Sequence, residues 1–228
     1  LRESFPDHLR GSNGVTTTST YDSLNRLTCA QEDGGGGETW RYGYDNASEL
    51  LWSEHDNTAS CAEQGGSSHK TFPHNDAHEI TSASGDDYDY DDQGNLLSIE
   101  DGLSFTYNDR NQTTEIQGPG SGGPLDMTYA GPGQSDRLSA GDTDYTANAL
   151  GIGYQTDGTD RYDFTRDDTG NPVGLRDGSD NYYLITDSIG SIVAVSDEDG
   201  DVAATYRYEP YGKITSGGPG GSPAVDNP

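Results

Sequence analysis

The sequence predicts an all-β fold: an antiparallel meander of short β-hairpins forming a curled or spiral sheet, a section of a shell or barrel. Three observations predict it. Gly, Asp, Asn, Ser and Thr dominate and no stretch sustains an apolar period of 3.6 residues, so long helices have nowhere to form. Aromatic residues recur at i and i+2 with a polar residue between them, the period of a strand with one covered face. Each pair runs into Asp or Asn, followed two or three residues later by Gly or Asn, which suit a tight turn.

Taken in order, residues 1–19 read as an incomplete leading repeat or connector. Ten units then fill 20–214, most of them about twenty residues apart, a period that marks a repeat architecture. The first starts loosely at Tyr21-Asp22 and is followed by Tyr42-Gly-Tyr44-Asp45. Phe72-Pro-His74-Asn75 comes next, then Tyr88-Asp-Tyr90-Asp91-Asp-Gln-Gly94-Asn95-Leu96, the clearest copy, and Phe105-Thr-Tyr107-Asn108. Looser copies begin at Met127-Thr-Tyr129, Tyr145, Phe164 (reaching Gly170) and Leu184 (preceded by Tyr183 and reaching Asp187 and Gly190), and the last is Tyr206-Arg-Tyr208-Glu209-Pro-Tyr-Gly212. After each turn a second apolar stretch, such as Leu96-Leu97-Ser-Ile99, reads as the returning strand. Residues 34–38 and 117–124 read as rim loops, and 215–228 as a Gly/Pro-rich linker or tail.

Composition bears on the core and on partners. Leu, Ile, Val and Phe make up only 32 of 228 residues, a level that with high net charge normally signals disorder. The 15 Tyr, 4 Phe and 2 Trp are expected to fill the core instead, stacked along one sheet face. With 40 Asp+Glu against 12 Lys+Arg the net charge is −28, which repels phosphate backbones and argues against nucleic acid. The only lysines are Lys70 and Lys213, and a carboxylate-rich surface of this kind suits a high-salt medium. No apolar run approaches the ~18 residues of a membrane span. Cys29 and Cys61 leave open a single bridge or two unpaired thiols. A chain opening on Leu reads as a processed piece of something longer.

At Tyr90 the string Tyr-Asp-x-x-Gly-Asn-Leu resembles the YD-repeat, or RHS-repeat, family. Tyr182 to Val193, followed by Tyr206 to Gly212, is similar to the opening of the RHS-associated core region. The resemblance implies a spiral β-sheet wound into a hollow shell. Such shells enclose a C-terminal effector in bacterial and archaeal toxins and serve cell-surface adhesion in animal teneurins. The family's core region continues into a tail whose acidic residues perform self-cleavage; this sequence stops at Asn227-Pro228, about where that tail would begin. Ten hairpins are also fewer than a closed shell needs, so a wall section, or a protomer completed by neighbouring copies, is expected.

Candidate chemistry is thin. His74 and His78 have the i,i+4 spacing of zinc ligands and His69 lies nearby, but the repeat places His74 at a tyrosine position with a turn running to His78. Asp197, Asp199 and Asp201 begin like a calcium loop, yet Val202 and Tyr208 occupy its glycine and glutamate positions, so a plain turn joining Val195 to Val202 is the expectation. Asp87, Asp89 and Asp91 alternate and are expected on one strand face. There is no nucleophile elbow, no phosphate loop, and no histidine with a convincing partner among His8, His55, His69, His74 and His78. The reading is therefore a non-catalytic, secreted or cell-surface structural protein with no cofactor. Its expected partners are other segments or copies of itself, an enclosed C-terminal effector, or a cell-surface glycan. The alternatives are a self-assembling extracellular filament, recruited through open strand edges, and a carbohydrate-binding or adhesion module using Trp40 and Trp52.

Overall fold

The computed structural model describes residues 2–4, 16–33, 37–57, 60–62, 68–120, 122–131, 135–187 and 189–217. Every regular element among them is a β-strand. Two compact units emerge, one of residues 1–100 with 208–213, the other of residues 101–207 with 214–228.

In the first unit β1 (Arg2–Ser4), β2 (Thr16–Tyr21), β3 (Leu27–Asp33), β4 (Thr39–Tyr44), β5 (Leu50–Asp56) and β6 (Ser68–Thr71) form one antiparallel sheet in chain order. β7 (Ser82–Ala83), β8 (Asp86–Tyr90) and β9 (Leu96–Ile99) continue the same hairpin order. The second unit repeats it with β10 (Leu103–Tyr107), β11 (Thr113–Gln117), β12 (Leu125–Ala130), β13 (Asp136–Ala140), β14 (Thr143–Asn148), β15 (Gly151–Thr156), β16 (Arg161–Arg166), β17 (Pro172–Asp177), β18 (Asp180–Thr186), β19 (Ile192–Ser196), β20 (Val202–Tyr208) and β21 (Ile214–Gly217). The chain is thus an antiparallel hairpin meander. The leading segment is already paired, with Arg2–Ser4 against Thr16–Thr18. Of the expected tail, Ile214–Gly217 is strand and 218–228 lies outside the described residues.

One turn recurs along the meander. At Asp22, Asp45, Asn75, Asp91, Asn108, Asp167, Asp187, Asp197 and Glu209 the backbone N–H of residue i donates to the carbonyl of i+4, and the N–H of i+3 donates back to the carbonyl of i, at 2.7–3.3 Å. Residue i+3 takes positive φ every time, as Asn25, Ser48, His78, Gly94, Asn111, Gly170, Gly190, Gly200 and Gly212. This is a type I turn closed by a left-handed residue, the three-residue hairpin with a bulge. The ladder slips just before it, for example between Thr20 and Tyr21, Asp89 and Tyr90, or Thr165 and Arg166. That slip corrects one expectation. Asp87 and Asp89 are exposed on β8, but the bulge takes Asp91 out of their row and into the turn, where its carboxylate accepts backbone N–H bonds.

The core also differs from an all-tyrosine interior. In the first unit Ala30, Trp40 and Tyr42 are buried, with Leu27, Tyr44 and Leu50 against them. In the second, β19 is buried from Ile192 to Val195, and Leu175, Leu184, Ala204 and Tyr206 join it. Aliphatic burial worth about 1.5–3 kcal/mol per large side chain therefore sustains the C-terminal hairpins. Their sequence permits this because the scarce Ile and Val concentrate there. Tyr21 and Tyr183 are 50% and 55% exposed, so neither belongs to the core. Tyr183 stands one residue out of phase with buried Leu184, and alternation turns its ring outward.

Candidate functional site

The repeated feature on which a role can rest is the turn together with the residue before it. The Asx side chain at i folds over its own turn: Asp22, Asn75, Asp91, Asn108, Asp167, Asp187 and Asp197 each accept, through Oδ1, the N–H groups of i+2 and i+4. At Asp91 and Asp167 the Asn at i+4 donates its side-chain amide to Oδ2. These bonds favour the carboxylate form. The Thr169 hydroxyl and the Asn171 amide bring Asp167 down to about 2, and Asp22, Asp45 and Asp91 are also held below their usual range, led by hydrogen bonds from Arg26, Glu49 and Asn95.

At some turns the residue at i−1 ties its hairpin to the one before, and Tyr129 makes the same bond from β12. The Tyr44 hydroxyl donates to the Leu27 carbonyl at 2.8 Å, Tyr90 to Ile80 at 2.8 Å and Tyr129 to Thr113 at 2.7 Å. Each acceptor lies five residues after the previous turn's Asx, where the returning strand starts, so the three bonds are one rung repeated. Arg166 holds the equivalent position before Asp167, and its Nε donates to the Ile152 carbonyl at 3.0 Å while Nη1 donates to Gly170 at 2.9 Å. A guanidinium there replaces the phenol. Burial raises the pKa of Tyr42, Tyr44 and Tyr90 above the ordinary tyrosine value.

The other repeat positions named from sequence fall as follows. Tyr42 and Tyr206 are buried; Phe72, Tyr88, Phe105, Tyr107, Tyr145, Phe164 and Tyr208 are half-buried on their strands or beside them. Tyr211, exposed at the last turn, is itself part of the first unit: its ring meets Tyr42 edge-on at 4.9 Å, and its hydroxyl lies 2.6 Å from that of Tyr44. Tyr44 gives its proton to Leu27, so Tyr211 is the donor in that pair.

Sequence reasoning missed a buried charge cluster on β4 and β5. Arg41 Nη1 lies 2.7 Å from Asp56 and 3.9 Å from Glu54, whose other oxygen lies 3.0 Å from His69 Nδ1. Arg41 Nη2 also donates to the Ser60 carbonyl, and Cys61 is bonded to Cys29, so a short segment is clasped across the cluster. The only sequence signal was a strand with Arg41 facing β5 carboxylates at alternate positions. His74 and His78 approach a different carboxylate, that of Glu49. The three histidines therefore do not converge, and among the described residues no group of three His, Cys, Asp or Glu is placed to hold a metal ion. Asp197 serves its own turn in the manner described above. Trp40 is 4% exposed and stacks on His55, so it offers no ring to a glycan. Trp52 lies against Gly43, where an added Cβ would stand 2.0 Å from its Nε1.

Residues 147–218 match the family described as Teneurin YD-shell. Over that stretch the chain resembles a YD-repeat shell. It is similar to the tRNA3(Ser)-specific nuclease WapA of Bacillus spizizenii, 23% identical over 204 residues, which span 86% of this chain and 8% of that protein. Among solved structures it is similar to a Photorhabdus luminescens Tc holotoxin pore (TM-score 0.36, 15% identity, covering 90% of this chain and 15% of that one). A TcdB2–TccC3 crystal structure gives a TM-score of 0.39 at 15% identity, over 94% of this chain and 15% of that one. The chain thus spans a small fraction of the length of these relatives.

Proposed function

We propose that the chain is a non-catalytic wall section of an extracellular YD-repeat shell that covers a C-terminal effector. The observation that carries this reading is the recurring rung, in which a tyrosine or arginine at the strand end bonds its hairpin to the one before at four places along the chain. A device that only fastens neighbour to neighbour builds a wall of any length. The Cys29–Cys61 bridge supports an oxidising, extracellular location. Limited proteolysis of the native protein from its source tests the reading. A C-terminal segment that stays intact beside the resistant repeats, and is cut only after denaturation, is the expected result. A segment digested at once while the repeats survive would contradict it.

A further inference from the structure

In the second unit, a cavity of about 390 Å3 is lined by Tyr145, Ile152, Phe164, Gln155 and the guanidinium groups of Arg137 and Arg166, among others. Its size and mixed lining are those of a small-ligand site. Its charge is the reverse of the rest of the chain: net −28 overall, yet among the described residues that line this cavity there is no Asp or Glu and there are two arginines. Five other cations are matched with carboxylates: Arg26 with Asp22, Arg41 with Asp56, Arg161 and Arg176 with Asp163, Lys213 with Glu209. Among the described residues, Arg137 and Arg166 have no carboxylate at ion-pair distance.

The geometry leaves both arginines turned to the cavity. Arg137 lies over the Tyr145 ring with Cζ 5.3 Å from its centroid, a contact that leaves its charge unneutralised. Arg166 is held through Nε and Nη1 by the carbonyls of Ile152 and Gly170, with Cζ 6.0 Å from the Phe164 centroid. A guanidinium so fixed has little rotamer freedom left to lose and presents its remaining donors to a planar anion.

We infer that this cavity binds a carboxylate carried on an apolar or aromatic body, the carboxylate meeting Arg137 and Arg166 and the body lying against Tyr145, Phe164 and Ile152. The ligand chemistry could come from a free aromatic acid or from the C-terminal carboxylate of a peptide ending in Phe. Titration of the intact chain with phenylacetate, followed by NMR shifts of the Tyr145 and Phe164 rings, tests it against phenylacetamide as the neutral isostere. Phenylacetate is expected to shift those resonances saturably, and the amide to bind about tenfold or more weakly, the loss of a charge-assisted contact. The exposed Arg137→Gln variant, with an unchanged melting temperature, is expected to lose the preference for the acid, and Arg137→Lys to restore part of it. A Phe-terminated peptide binding more tightly than phenylacetate identifies the peptide as the source, and the reverse order the free acid. Equal binding of acid and amide, shifts scattered outside the cavity, or an Arg137→Gln variant that keeps the preference would overturn the site.

Discussion

Gly94 occupies the left-handed position of its turn, φ 83°, and sister turns put Asn25 and Asn111 there at φ 59° and 58°. A Cβ at Gly94 would meet only the end of the flexible Glu79 side chain at 3.3 Å, so the cost of substitution is one of backbone conformation. Gly94→Ala is expected to destabilise the fold by about 1 kcal/mol and Gly94→Asn by clearly less, as measured by urea unfolding. Equal losses would deny that conformation decides the position. The turn carboxylates supply a pH test. Asp167 is held down to about 2 against an unfolded value of 3.8, so it stabilises the fold fully above about pH 4 and stops doing so as pH falls towards 2. Asp22, Asp45 and Asp91 act in the same direction. Asp167→Asn keeps the Oδ1 acceptor, as Asn75 and Asn108 do, and is expected to show a shallower fall in melting temperature between pH 4 and 2 than the unaltered chain. An identical slope would remove Asp167 from the account.

At the scale of the element, the hairpin was legible because its two signals are local: alternation of aromatics for the strand and an Asx followed by a φ-permissive residue for the turn. Tyr88-Asp-Tyr90-Asp91 through Leu96 contains every part, down to Asn95, whose amide bonds back to Asp91. What sequence reading did not reach depends on residues far apart in the chain. The bulge that removes Asp91 from the row of Asp87 and Asp89 appears only when pairing partners are known. The burial of Arg41 beside Glu54 and Asp56 arises from adjacent strands whose residues, taken singly, look like an ordinary solvated face. The bond between Cys29 and Cys61, 32 residues apart, fastens the Ser60–Cys61 segment over that cluster. Closing a loop of that length restricts the unfolded chain by about 3–4 kcal/mol. Cys61→Ser is expected to lower stability by that order, measured by denaturant unfolding, and to speed amide exchange in β3 and β4. A variant as stable as the parent, with unchanged exchange, would show that the clasp adds nothing.

For the whole molecule, a net charge of −28 must be offset by short-range contacts, and the exposed carboxylates repel one another less as salt shortens the screening length to about 3 Å at 1 M. The melting temperature is therefore expected to rise with sodium chloride up to molar concentration; a fall would mean that the ion pairs, not the repulsion, dominate. Fold class was readable throughout, because many copies reinforce one another where a single hairpin signal is weak. Which residues fill the interior was not, since the scarcity of aliphatics in the composition hides their concentration in β19. The central claim is that phenol hydroxyls join successive hairpins, and NMR detection of hydroxyl protons tests it most directly. Tyr44, Tyr90 and Tyr129 should each show a slowly exchanging hydroxyl signal with cross-peaks to the residues around Leu27, Ile80 and Thr113, respectively. Hydroxyls of these three that exchange as fast as that of exposed Tyr183, with no contact across hairpins, would contradict it.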